Sequence, residues 1–223
     1  MSMEARRPRG RPRSDESPAS SEDVFAAALT AFATHGYDGV SLRTLNRQLG
    51  VSHNFIAARF GSKETLWYAT VDWAYAPLAN KLASAFDPTV SDPLEQLRLV
   101  IRMFLVHSAE HPELLGLMNI EARQDTERLA YIYSSYIEPT LAPVARLLDH
   151  LVAEGRARPI PLRTFHFLLT HGGAAPFSLV PLARHFDRDD PLDAAAVREH
   201  ADLVADALVR VLEPADARAT PAD

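Results

Sequence analysis

Between Ser41 and Leu66 the chain reads SLRTLNRQLGVSHNFIAARFGSKETL. Leu42, Leu45 and Leu49 give a first short helix an apolar face, and Ile56 and Phe60 do the same for a second at i, i+4 spacing. Gly50 supplies the left-handed conformation that a tight turn between them requires, Val51 plugs the corner, and Ser52 is placed to cap the second helix. His53, Asn54, Phe55, Ala57, Ala58 and Arg59 are left to face outward or to rim the packing. Such residues at the start of a helix suit a major groove, where an Asn amide pairs with adenine and an Arg guanidinium with guanine or a phosphate. The same spacing also fits a plain helical hairpin whose polar residues meet only water.

Two other groups have the residue types for chemistry. Arg6 to Arg13 reads RRPRGRPR, whose core resembles an AT-hook in which Arg9 and Arg11 follow a narrow A·T-rich minor groove. The other reading is a basic tail drawn to any polyanion. His107 and His111 stand at i, i+4, the spacing with which two imidazoles share a metal, with Glu110 and Glu113 nearby as oxygen donors. The segment is not H-E-x-x-H and no third ligand is evident, so the histidines are assigned to a helix surface or pocket rim. No metal and no cofactor is expected. With no G-x-S-x-G elbow, Walker loop or G-x-G-x-x-G, the sequence reads as a non-enzyme.

Helices must position these groups, and the pattern supplies them. The first starts at Ser20 and Asp23, in capping-box-like spacing, carries Phe25, Leu29 and Phe32 on one face, and is expected to stop at Gly36. Leu42–Leu49 and Ser52–Phe60 follow, then a long helix from Ser62 to about Phe86 that Pro77 should kink. Further helices are expected at 91–111, 113–123, 126–154, 162–185 and 192–213, punctuated by Pro112, Gly155, Pro159, Pro161 and Pro191. No period-two run enriched in β-branched residues occurs, so the fold class is all-α. Residues 1–19 and 214–223 carry little that can be buried and read as a disordered basic arm and a disordered tail.

The chain has 223 residues, a formal charge of −6 and no cysteine, which excludes disulfide frameworks, thiolate metal sites and Cys nucleophiles and suits a cytoplasmic location. The acidic sum argues against nucleic acid only until it is divided. Residues 1–66 hold nine Lys/Arg against seven acids, net +2, and the remainder holds −8. SDESPASSED follows Arg13 where an export signal would need an apolar run, and Leu168–Ala183 is broken by glycine and proline and too short to span a bilayer. No membrane partner is expected.

The stretch HGYDGVSLRTLNRQLGVSHNFIAARFGSKETLW resembles the N-terminal DNA-binding domain of the TetR/AcrR family of bacterial transcription regulators. The matching features are His35-Gly36-Tyr37 ending helix 1, Ser41 capping helix 2, the Gly50-Val51-Ser52 turn, and Phe60-Gly61-Ser62-Lys63-Glu64 with Leu66 leading into helix 4. The resemblance covers residues 21–70; beyond it only length, helicity and helix order agree. It implies that residues 20–66 form a helix-turn-helix domain and 67–213 a larger helical domain for effector binding and dimerisation. Ser41, Arg43, Ser52, His53, Asn54, Phe55, Ala57 and Arg59 would then face DNA, and Lys63 a phosphate. Two positions depart from the family pattern: Ala57 replaces the usual phosphate-contacting Tyr, for which Arg59 is the candidate substitute, and Asn46 replaces a small Ala. Asn46 either turns to solvent or makes a local hydrogen bond.

The body is rich in side chains suited to an apolar pocket, although most must simply be core: Trp67, Met103, Phe104, Met118, Tyr131, Tyr133, Tyr136, Phe165 and Phe167. The effector-pocket candidates are Trp67, Met103, Phe104, His107, Met118, Arg123, Tyr133, Phe167 and His171, with Asn119 a further polar contributor. In the last helix Val197, Ala201, Val204, Leu208 and Val211 repeat at 4-3-4-3 spacing, a seam to be buried against a partner or within the chain. With the small residues Gly172 to Ala175, Gly172 and Ala175 in particular, this seam resembles the family's two-helix dimer face. The expected protein is a homodimeric regulator, most often a repressor in this family, released from a pseudo-palindromic operator by a small hydrophobic effector. The alternative is a ligand-independent architectural protein of A·T-rich DNA.

Overall fold

The computed structural model describes residues 19–86, 89–186 and 189–214, and among them every regular element is helical. Arg9 and Arg11 of the basic arm, and the expected tail beyond Pro214, lie outside the described residues. Helix α1 (Ser21–Gly39) opens on the expected capping box, with Ser20 Oγ accepting from the Asp23 amide at 3.1 Å and the Ser20 amide donating to Asp23 at 2.8 Å. Gly36, expected to end the helix, breaks it with φ 68°, but one more turn follows as far as Gly39. α2 (Leu42–Gln48) is capped by Ser41, α3 (Phe55–Phe60) is a short helix, and α4 (Lys63–Ala85) starts at Ser62, whose hydroxyl accepts from the Thr65 amide. α4 runs unbroken through Pro77, which sits at an exposed position.

The body comprises α5 (Pro93–Glu110), α6 (Pro112–Glu121), α7 (Glu127–Ile132), α8 (Glu138–Ala153), α9 (Leu162–Phe167), α10 (Ala175–Ser178), α11 (Val180–Ala183) and α12 (Ala194–Leu212). Two helices expected to be continuous are not. A π-helical turn, Tyr133–Ile137, joins α7 to α8, and a second, Leu168–Gly173, follows α9. Beyond it Pro176 and Pro181 each open a separate short helix, since neither can donate to a preceding turn.

The apolar residues collect in two cores that share α4. The first joins Val24, Ala28 and Phe32 of α1, Leu45 of α2, Ile56 of α3, and Leu66, Trp67 and Val71 of α4 with Leu114 and Leu117 of α6 and Ile132 of α7. It therefore crosses the expected domain boundary at 66/67. The second joins Leu82 and Ala85 at the far end of α4 to Leu97, Ile101 and Leu105 of α5, Leu148 of α8, Phe165 of α9 and the inner face of α12.

That inner face corrects the sequence reading of the last helix. Val197, Ala201 and Leu208 are buried within their own chain, where α12 packs more extensively against α5 than any other helix pair does. Ala205, Val209 and Leu212 are buried too, so the apolar face is wider than a two-residue seam and fits a globular core. Val204 closes over Gly173, where an added Cβ would lie 2.9 Å from its Cγ1. The glycine thus serves a close approach inside the chain. Of the five seam residues only Val211 is exposed, at 38%.

Candidate DNA-binding surface and effector cavity

α2 ends in a Schellman arrangement. Gly50 takes φ 67°, its amide donates to the Arg47 carbonyl at 3.2 Å, and the Val51 amide donates to that of Asn46 at 3.0 Å. Ser52, His53 and Asn54 then form an exposed turn, and α3 begins only at Phe55. Ser52 is therefore not its N-cap, and Asn54, which holds that position, makes no side-chain capping bond. The cap comes from the other helix. Asn46, almost fully buried, accepts from the Ile56 amide through Oδ1 at 3.1 Å and donates through Nδ2 to the His53 carbonyl at 2.7 Å. One amide side chain thus satisfies a first-turn N–H of α3 and pins the turn before it.

Arg43, Ser41, Ser52, His53, Asn54 and Arg59 are exposed, and Phe55 and Ala57 are half-buried at the rim, so the two helices present a continuous polar face. Two of the expected contact residues are occupied. Arg59 donates to the Ser21 hydroxyl at the start of α1 and lies over the Phe60 ring. Lys63 donates to the Tyr37 and Val40 carbonyls at the end of α1, at 3.0 and 3.2 Å. Its ammonium also stands 4.1 Å from the centre of the Tyr37 ring, and so does the Arg128 guanidinium from α7. Arg128 in turn pairs with Glu121 of α6 at 3.1 Å, and Glu121 is 3% exposed. A chain of charge and aromatic contacts therefore runs from the body to the base of the helix-turn-helix. Arg47, exposed in the last turn of α2, is a cation on this end of the molecule that was not among the expected contacts.

Behind this surface α4, α5, α6, α8, α9 and both π turns line a partly open cavity of about 120 Å³. Its wall is mostly apolar, with Leu78, Leu82, Phe104, Leu115, Met118, Leu141 and Phe165. Tyr75, Ser108, Asn119, Tyr136, Thr140, His166, Thr170 and His171 supply the polar groups. Several of these are spent internally, the Tyr75 hydroxyl on the Leu114 carbonyl at 3.0 Å and the Ser108 hydroxyl on that of Phe104 at 2.8 Å. Among the described residues no hydrogen bond engages the Asn119 amide or the His166 ring. Burial, with the neighbouring His171 second, holds His166 below the ordinary imidazole range, which favours its neutral form.

Phe104, Met118, His171 and Asn119 were expected at a pocket and line this one. The other expectations are corrected. Trp67 is fully buried in the first core, and Met103 packs against the second. Arg123 is exposed beyond the end of α6, while Tyr133 and Phe167 are exposed at 51% and 52%. His107 is buried at the end of α5 and does not line the cavity. Two of these, Tyr133 and Phe167, share one cause: a π turn shifts which side chains face inward, so Tyr136 and not Tyr133, and His166 and not Phe167, reach the cavity.

Tyr136 connects the cavity to α4. Its hydroxyl donates to Asp72 at 2.6 Å, and Tyr131 donates to the same oxygen at 2.6 Å. The bond to the Asp72 carboxylate, then burial, pushes Tyr131 up to about 12; burial foremost, then Asp72, raises Tyr136. Both hydroxyls stay protonated and act as donors.

A helix-turn-helix braced by α4 and joined through a common core to a helical body with a cavity defines a DNA-binding transcription regulator. Residues 24–69 match the family described as bacterial regulatory proteins, tetR family, and residues 93–208 match the tetracyclin repressor-like C-terminal domain. The chain belongs to the TetR family. Its fold is similar to that of a tetR-family regulatory protein from Rhodococcus RHA1, at 18% identity over 88% of this chain and 98% of that one, with a TM-score of 0.70. It is also similar to the regulator FadR of Bacillus subtilis in complex with stearoyl-CoA, at 16% identity over 87% and 100%, with a TM-score of 0.64. Among curated proteins the nucleoid occlusion factor SlmA of Vibrio atlanticus is 25% identical over 141 residues, covering 62% of this chain and 71% of the relative.

Asn46→Ala removes the cap of α3 and both of its hydrogen bonds while leaving the exposed residues in place. It should lower stability by about 1–3 kcal/mol, measured by chemical denaturation, and weaken DNA binding. An unchanged denaturation midpoint would show that α3 does not need the amide.

Proposed function

We propose that the protein is a cytoplasmic homodimeric repressor that leaves a pseudo-palindromic operator when a small, largely apolar effector fills the cavity. One observation carries the reading: the cavity wall is built from helices that also hold the DNA-binding domain. Tyr136 lines the cavity and bonds Asp72 on α4, and α6, which contributes Leu115, Met118 and Asn119, packs on α1. At about 120 Å³ the space is close to an apolar cavity of about 150 Å³ that accepts benzene. A longer effector must part α6 from the Tyr133–Ile137 turn, which strains the Tyr136–Asp72 bond and shifts the population toward a different setting of α4. The FadR complex with stearoyl-CoA supports an acyl chain as the first chemistry to try.

Arg43, His53 and Asn54 are the base-reading candidates, with Ser41, Ser52, Phe55 and Ala57 at the backbone edge. Arg59 and Lys63 act by holding α3 and α4 in place. Arg9 and Arg11 add affinity and salt dependence from the arm. Two such surfaces in a dimer would address successive major grooves about 34–36 Å apart. The dimer face is assigned to the groove between α10, α11 and α12, where Leu179, Leu182, Phe186 and Leu203 are exposed at 50%, 54%, 78% and 68%. Gly172 and Ala175 line the same groove.

Operators selected from a random duplex pool permit the tests. Arg43→Ala and Asn54→Ala should each weaken operator binding by about 1–3 kcal/mol without an equal loss on random DNA; equal losses on both would remove them from base reading. Stearoyl-CoA should lower operator affinity about ten-fold or more in fluorescence anisotropy, and Tyr136→Phe should blunt that response. An operator affinity that ignores acyl ligands of every length would overturn this effector class. Leu203→Glu should give folded monomers in sedimentation, whereas Leu208→Glu, which buries a charge, should unfold. A dimer that survives Leu203→Glu would move the interface elsewhere.

A further inference from the structure

At the junction of α5 and α6, outside the cavity lining and the DNA-binding surface, His107, Glu110 and His111 place one potential ligand atom each within 4.8 Å of the others. His107 is 2% exposed, yet neither ring nitrogen has a hydrogen-bond partner. A buried imidazole with both nitrogens idle is uncommon, because each forfeits its interaction with water and gains nothing in return. Its Nδ1 faces Glu110 Oε2 across 3.9 Å, and its ring centre lies 4.5 Å from that of His111. We propose that these three residues bind a divalent first-row transition metal ion of the zinc class.

The donor set selects the ion. Two imidazoles and one carboxylate are the nitrogen and oxygen ligands that zinc takes in three-ligand sites with a fourth position open to water, whereas calcium and magnesium require oxygen cages. In a tetrahedral site with bonds of about 2.0–2.1 Å the donors stand about 3.3 Å apart. Closing the present spacing takes rotation of Glu110 and His111, both exposed, around a His107 that stays fixed in the core. The charged neighbour is Lys81 of α4, whose ammonium holds Glu110 Oε2 at 3.0 Å and is half-exposed, free to swing into solvent. The metal and Lys81 therefore compete for one carboxylate. Occupancy would exchange a contact between α4 and α5 for a clamp across the α5–α6 corner, and α6 is the helix that bears on α1.

The test uses untagged full-length protein stripped with a chelator and titrated with zinc against a chromophoric competitor. Wild type should bind one equivalent. His111→Ala and Glu110→Gln, both at exposed positions, should each weaken binding about 10-fold or more, and Lys81→Met should tighten it. Cobalt substituted for zinc should give the strong visible bands of a four-coordinate nitrogen/oxygen site, and His111→Ala should abolish them. No saturable binding, or an affinity unaltered in both ligand variants, would overturn the site, since the chain has six other histidines besides His107, His111 and His166 that could collect zinc at its surface. The outcome is independent of operator binding and of the acyl-ligand experiment.

Discussion

α6 lies on α1 at a distance that only small residues permit: a Cβ at Gly116 would stand 3.3 Å from the Ala33 Cβ, and one at Gly36 would stand 3.2 Å from Ile120 Cγ2. In the proposed mechanism this contact is what couples the body to the DNA-binding module. Close-packed interiors shift between discrete arrangements and do not deform smoothly, so a displacement of α6 reaches α1 with little loss. Glu121, Arg128, Tyr37 and Lys63 tie the same two bodies along their polar edge, and the first core fills the space between.

The parts of the fold governed by neighbours in sequence were legible there. Ser20 with Asp23, Ser41, Gly50 and Ser62 each act within a few residues of themselves, and the helices they delimit begin and turn where expected. The cap of α3 was not, because the acceptor of its Ile56 amide, Asn46 Oδ1, is ten residues away on another helix; Ser52 had the right chemistry, but α3 begins only at Phe55 and Asn46 supplies the cap. The last helix shows the same limit in another form. A repeating apolar seam states that a face is buried and says nothing of what covers it, and here α5 covers it.

The cavity was the least legible feature, since it depends on backbone hydrogen-bond register. Periodicity over 126–154 and 162–185 predicts two straight helices, and on straight helices Tyr133 and Phe167 are reasonable lining residues. The widened turns at Tyr133–Ile137 and Leu168–Gly173 exist because tertiary packing stabilises them, and they turn Tyr136, Ile137, Leu169 and Thr170 into the cavity instead. His107 belongs with these cases: its spacing to His111 was visible, but its burial and unpaired nitrogens come from the fold alone.

Each π turn holds one residue more than an α-helix needs to cover the same rise. Loss of a single codon within Tyr133–Ile137 would restore α geometry with the flanking helices still in register and change only which residues of that turn face inward. Helix ends and outer surfaces would tolerate this, while the cavity would acquire a different lining. Ligand preference in such a protein can therefore change by insertion and deletion as readily as by substitution, with the DNA-reading face left as it was.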